Sequence, residues 1–299
     1  MAIFRNLLTC AIAFSGLSTA LPHSRRQEAA APGLTDMQIL QFALTLEHLE
    51  SAFYTEGFAK FPAADFLALG LDQATIDGLQ AIGKTEATHV IVLSDTITSL
   101  GGTPVPACTY KFNLIDAASM IATARVLEAV GISAYLGAAP LVSEKAILSA
   151  AASIVTVEAR HQTFIRTALN AQPVPQAFDA AIGPLQIFTL AAGFIDVCPE
   201  AANLGLTPLA PLNVLDAGSI RAGSALKMTV PDAAREAGLS CTFTTGDGGL
   251  VFAKFENGGC VVPDGLGGEV FMTVTTEAEG VKVLDDTKIV AGPAVLVLS

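Results

Sequence analysis

The chain has no C-x-x-C pair, no Asn-x-Ser/Thr acceptor and, beyond its first twenty residues, no apolar stretch that runs uninterrupted by charge for a membrane's width. The first absence counts against a metal-thiolate site, so the cysteines read as disulfide partners. The second removes N-glycosylation from what is expected. A spanning helix needs about 20 apolar residues; Glu, His, Arg or Lys interrupts every later run before that length, and no membrane span is predicted. Positive charge is also scarce, 16 Lys and Arg against 28 Asp and Glu. Such a surface repels phosphate backbones and anionic lipid and attracts cations, so nucleic acid is excluded as a partner and metal ions are admitted.

What is present begins with a leader. Arg5 gives a positive start, Leu7 to Leu17 an apolar run, and Ser18-Thr19-Ala20 a small-residue cleavage site, so residues 1–20 read as a signal peptide. The dibasic Arg25-Arg26 ahead of Ala29 to Gly33 predicts a second trimming. Residues 21–34 are then a propeptide or disordered linker, and the mature chain starts near Gln27. A secreted protein is expected, extracellular or in the cell wall, with 13 basic residues left against 28 acidic ones. Cys10 leaves with the leader, and Cys108, Cys198, Cys241 and Cys260 remain as an even set suited to two disulfides. Three connectivities are open; because Cys108 and Cys198 come before the change of character at Pro208 and Cys241 and Cys260 after it, Cys108 to Cys198 and Cys241 to Cys260 is the economical choice.

At 299 residues the chain can hold two domains, each with its own core. From Thr35 to about Asn170, apolar residues recur at spacings of three and four, which predicts four long helices. The first opens at Thr35 or Asp36 and stops near Gly57, followed by a loop with Phe61-Pro62. The second covers about Asp72 to Leu100 and ends at Gly101-Gly102. The third spans about Leu114 to Gly137 and the fourth about Leu141 to Leu169, with a tight break at Pro140 that makes them antiparallel neighbours. Pro184 to Val197 reads as a fifth, buried helix. After Pro208 the character changes to strand-like runs, Leu250 to Phe252, Glu269 to Thr275 and Ala294 to Leu298, separated by Asp247-Gly248-Gly249 and Asn257-Gly258-Gly259. Asp247 and Asp264-Gly265 are taken as turn residues, not calcium ligands. The fold class is therefore α+β multidomain: a helical bundle over residues 35–199, then a small β-sandwich of immunoglobulin-like type over residues 208–299.

Chemistry concentrates in the helices. Glu86-Ala87-Thr88-His89 lies on the second and Glu158-Ala159-Arg160-His161 on the fourth; residues three apart share a helix face. Ile82, Val90 and Leu93 flank the first pair and Ile154, Val155 and Ile165 the second, so both pairs point to the core. The first and third helices share another pattern, Glu47 with Tyr54 and Glu128 with Tyr135, each Tyr two turns after its Glu. The order Glu…Tyr, Glu-x-x-His, then the same again, is an internal duplication of two helical hairpins. Four carboxylates buried together without a cation would each cost several kcal/mol or take up protons. Two bridging carboxylates, two terminal ones and two imidazoles instead suit a pair of Fe or Mn ions. Histidine is too scarce for other uses: from Gln27 onward there are only His48, His89 and His161. Glu50, one turn after Glu47, is the alternative ligand on the first helix, and the Tyr54 and Tyr135 hydroxyls are candidates to bond ligand carboxylates.

With those residues the chain resembles the ferritin-like superfamily, and most of all the secreted ferritin-like domain proteins of fungi, which are related to plant desiccation-associated proteins. The run Leu44-Thr45-Leu46-Glu47-His48-Leu49-Glu50-Ser51-Ala52-Phe53-Tyr54 carries the narrower likeness, which covers about Thr35 to Pro199. The resemblance implies Glu47, Glu86, His89, Glu128, Glu158 and His161 as ligands to two metal ions. It also implies no built-in electron donor, since the C-x-x-C pairs of a rubredoxin module are missing, and no storage cage, since cage ferritins lack a region like 208–299. Two functions are expected from this: an enzyme acting on dioxygen, peroxide or Fe(II), or a non-catalytic stress-associated or cell-surface protein. In the second, the bundle is a scaffold or sequesters metal, while the β domain meets a protein or wall partner.

Overall fold

The structure is a computed structural model that describes residues 34–202, 204–215, 220–231, 238–246 and 249–298. The expected leader, the linker up to residue 33 and the Asp247-Gly248 turn lie outside the described residues.

Helix α1 (Asp36–Lys60) starts at Thr35, whose hydroxyl accepts from the Gln38 N–H while the Gln38 side chain accepts from the Thr35 N–H, a reciprocal capping box. The helix runs three residues past the expected stop at Gly57 and ends before Phe61-Pro62. Gly57 is a contact position and not a terminator: a Cβ there would meet Met120 at 2.4 Å. The segment expected as a loop contains a short helix, α2 (Ala63–Ala68), started by Pro62 and fixed by the fully buried Phe66. Helix α3 (Gln73–Ser99) is capped by Asp72, and the N–H groups of Gly101 and Gly102 return to the carbonyls of Thr98 and Ile97. A long connection carrying strand β1 (Thr109–Tyr110) leads to α4 (Ala117–Ala138), capped by Asp116 with Ser119. A 3-10 turn over Ala139–Leu141 joins it to α5 (Lys145–Ala168). The Asp36 carboxylate accepts from the Ser143 and Glu144 N–H groups, 2.8 Å each, which ties the start of α5 to that of α1.

α1 pairs with α3 and α4 with α5; α1 then lies beside α4, and α3 beside α5. This is a four-helix arrangement of two hairpins joined by one long crossover. α4 with its 3-10 extension is long and apolar enough to cross a membrane by composition alone, but most of it is buried inside the protein. It meets α1, α5, α6 and the β region, which is why it is apolar on nearly every side.

Helix α6 (Pro184–Ala192) is shorter than expected. It closes at Gly193, and Ile195–Val197 becomes strand β2, antiparallel to β1, beside the disulfide Cys108–Cys198. The remaining strands are β3 (Asn213–Leu215), β4 (Ala225–Thr229), β5 (Ser240–Thr244), β6 (Leu250–Lys254), β7 (Gly259–Val261), β8 (Gly268–Thr275) and β9 (Ile289–Leu298). They form two antiparallel sheets, β3-β4-β7 and β6-β5-β8-β9. Leu226 and Met228 of one sheet and Phe243, Val270, Met272 and Leu296 of the other share a buried cluster. The disulfide Cys241–Cys260 runs from β5 to β7 and joins the sheets. Asn257 and Gly258 both have positive φ, 53° and 74°, as the tight turn before β7 requires.

Every residue of β8 is buried, because the strand is covered on both faces. Val270, Met272 and Val274 enter the β cluster, while Phe271 enters the main core of the helices. Glu269, on the same face as Phe271, forms ion pairs with Arg125 of α4 and Arg166 of α5. The β region is thus packed on the second helical hairpin, with β9 against α6.

Candidate metal centre

The helical periods place Glu47 on α1, Glu86 and His89 on α3, Glu128 on α4, and Glu158 and His161 on α5, all facing the bundle axis. None of the four carboxylates is more than 1% exposed, so their charges have no access to bulk water. The structure brings the six residues together in two overlapping groups. One is Glu47, Glu86, His89 and Glu158; the other is Glu86, Glu128, Glu158 and His161, with ligand atoms inside each group within 4.8 Å of one another. Glu86 and Glu158 belong to both. His89 Nδ1 is 3.3 Å from Glu47 Oε2, 3.1 Å from Glu86 Oε2 and 3.0 Å from Glu158 Oε1. His161 Nδ1 is 2.8 Å from Glu86 Oε1, 3.2 Å from Glu128 Oε2 and 3.8 Å from Glu158 Oε2.

Electrostatics follow from this crowding. Burial pushes the Glu47 carboxyl up to about 8, against the pull of the His89 hydrogen bond and with the Glu158 and Glu86 charges adding to the rise. Burial likewise holds Glu128 well above the usual range, with His161 opposing. Burial alone would lower His89 and His161, but the three carboxylates crowded around each ring outweigh it and push both up to about 12. Burial opposes ionisation of Glu158 too, yet the close His161 and His89 rings hold it down at about 2. Without a cation the cluster keeps its charge balanced by retaining protons.

Protons fit this geometry poorly. Each Nδ1 carries at most one hydrogen yet faces three carboxylate oxygens. The Glu47 Oε2, the Glu86 Oε1 and both oxygens of Glu158 are buried without a well-directed hydrogen bond. A dication among hard oxygen donors and one imidazole nitrogen satisfies all of them at once, so the residues present fit metal ions.

Around the six sits a second set of side chains. The Tyr54 hydroxyl donates to Glu128 Oε1 and that of Tyr135 to Glu47 Oε1, 2.5 Å each, leaving Oε2 of each carboxylate turned to a histidine. Each tyrosine therefore serves the glutamate of the other hairpin, not the one two turns before it. Thr85, which sequence reasoning missed, lies 3.0 Å from His161 Nε2. Its hydroxyl donates to the Ile82 carbonyl at 2.7 Å, so its oxygen accepts the Nε2 hydrogen and Nδ1 is the nitrogen that would ligate a metal once its own proton is displaced. In the duplicated hairpin the corresponding residue is Val157, which has no hydroxyl to offer. His48 is not in the cluster; its Nε2 meets the Val105 carbonyl at 3.1 Å. Glu50 is buried beside the cluster without a ligand-distance contact to it, and burial, then the Glu158 charge, raises its carboxyl well above the ordinary range.

Two helical hairpins joined by a long crossover, closed around four buried glutamates and two histidines, define a ferritin-like helical domain with groups able to hold metal ions. Comparison with known proteins agrees: residues 35–171 match the family model of the ferritin-like domain. The chain is also similar to Protein rds1 of Schizosaccharomyces pombe, 28% identical over 165 residues, which is 55% of this chain and 40% of that protein. The chain thus spans well under half the length of the relative it matches.

Proposed function

We propose that this is a secreted protein whose ferritin-like domain holds two Fe or Mn ions and acts on dioxygen, peroxide or Fe(II). The observation that carries the reading is the shared placement of Glu86 and Glu158 between two histidine nitrogens that each face three carboxylate oxygens. Glu47 and His89 would complete one position, Glu128 and His161 the other. Bound ions of this kind supply Lewis acidity and, for Fe or Mn, electrons. The chain supplies the rest: Tyr54 and Tyr135 orient the terminal carboxylates, Thr85 fixes one imidazole, and the apolar shell excludes bulk water. The two disulfides suit an oxidising compartment and support secretion.

We also read residues 35–199 and 208–299 as two domains. The two antiparallel sheets, their common core and the disulfide between them support an immunoglobulin-like form for the second. The non-catalytic alternative, with the β region as a free binding module, is the weaker reading, because one face of β8 is taken up by the bundle.

The test is elemental analysis of protein purified without chelator, beside a Glu86→Ala/Glu158→Ala double variant. About two Fe or Mn per chain, lost in the folded variant, is the expected result. Native protein that stays metal-free after reconstitution would make the bundle a scaffold. Loaded protein that neither oxidises Fe(II) nor turns over peroxide would remove the enzyme reading and leave metal binding.

A further inference from the structure

A cavity of about 300 Å³ lies between α1, α4, α6 and β9. Its walls are apolar: Leu49 from α1, Val130 from α4, Leu190 and Ala191 from α6, and Ala294 and Val295 from β9. Among the described residues, the one charged side chain that lines it is Glu50. This residue is 3% exposed, and among the described residues no hydrogen bond or ion pair engages it. A buried carboxyl without a protein partner is costly, and it is found where a ligand or ordered water supplies the partner. Gly131, in the same wall, keeps Glu50 in communication with the candidate centre. A methyl added there would fall 2.7 Å from Glu50 Oε1 and 3.6 Å from Glu158 Oε2, so the two carboxylates border one small space that only glycine leaves open.

The size is at the small end of organic-ligand sites, and an apolar wall with one buried polar group is their usual composition. A charged ligand would lose hydration against these mostly apolar walls. We propose that this cavity binds a small, uncharged, largely apolar molecule carrying one hydroxyl group, seated with the hydroxyl on Glu50. Binding stands by itself; its role as the delivery of an organic substrate to the metal ions rests on the function proposed above. The β region then has a task at the site, because β9 forms one wall.

The full-length chain is titrated with 4-propylphenol and with propylbenzene by ligand-observed NMR, and the metal content of each sample is measured in parallel. Wild type is expected to bind both saturably, preferring the phenol by about tenfold, the worth of one hydrogen bond to a buried acceptor. Glu50→Leu should keep propylbenzene binding and erase the preference. Val295→Phe, which fills the cavity from the face of β9 that meets the helices, should lose both ligands. Leu190→Phe fills it from α6 and replaces Val295→Phe should circular dichroism show that variant unfolded. Absence of saturable binding to folded wild type, or phenol binding unchanged in Glu50→Leu and in the filled variants, overturns the proposal. Metal-loaded protein that ignores the phenol sinks the cavity and spares the metal reading; metal-free protein that binds it does the reverse.

Discussion

Thr85 and the two tyrosines show what a residue's neighbours along the chain can and cannot disclose. The spacing of Glu47 to Tyr54 and of Glu128 to Tyr135 put each pair on one stripe, and that much was readable. The crossed partnership, Tyr54 with Glu128 and Tyr135 with Glu47, depends on how the hairpins face each other, which spacing along a single helix does not contain. Thr85 had no signal at all, since its counterpart in the repeat is Val157. Because a group that fixes a ligating imidazole typically contributes about 10- to 100-fold in metal affinity, Thr85→Val should weaken metal binding by that order with the fold intact. Competition against a calibrated chelator measures it. Unchanged affinity would show that the Nε2 contact does not orient His161.

Among the elements, the long helices were legible because their caps and periodicity agree, as at Thr35 and Asp72. The errors sit where a tertiary contact changes what a residue means. Gly57 looked like a terminator and is a seat for Met120; Ile195 to Val197 looked like the end of a helix and pairs with β1. Gly83 is a further such position on α3, where a Cβ would approach Tyr54 Cβ to 2.7 Å, backbone-proximal atoms that cannot swing aside. Gly83→Ala gains up to about 1 kcal/mol of helix propensity but forces α1 from α3, an overpacking that costs about 1–3 kcal/mol. Net destabilisation is expected in urea unfolding of the metal-free protein; a stabilised variant would show that the hairpin has slack there.

For the whole molecule, proton and metal compete for one site, and the sign of the pH effect follows. Glu47 moves from 4.5 to about 8 on folding, and His89 and His161 from 6.5 to about 12. The folded metal-free chain therefore keeps protons between pH 5 and 8 that the unfolded chain releases, and it loses stability as pH rises through that window. Glu158, held at about 2, acts in the opposite sense, but only between about 2 and 4.5. The Tm of metal-free protein should fall from pH 5 to pH 8, while the increment added by metal grows, since binding displaces protons. Scanning calorimetry at several pH values checks both; a metal-free Tm that rises across this range contradicts the assignment of the buried cluster. Two halves of different character were visible in the sequence, and so was the strand-like run Glu269 to Thr275, but not what its second face covers. Glu269, in β8, meets Arg125 and Arg166, both on the second hairpin, and all three side chains are largely withdrawn from water. Exchange of parts between related chains must respect that triad. A chimaera combining this β region with another bundle retains its charge balance only if positions 125 and 166 travel with residue 269, so the heritable unit is the seam and not either half.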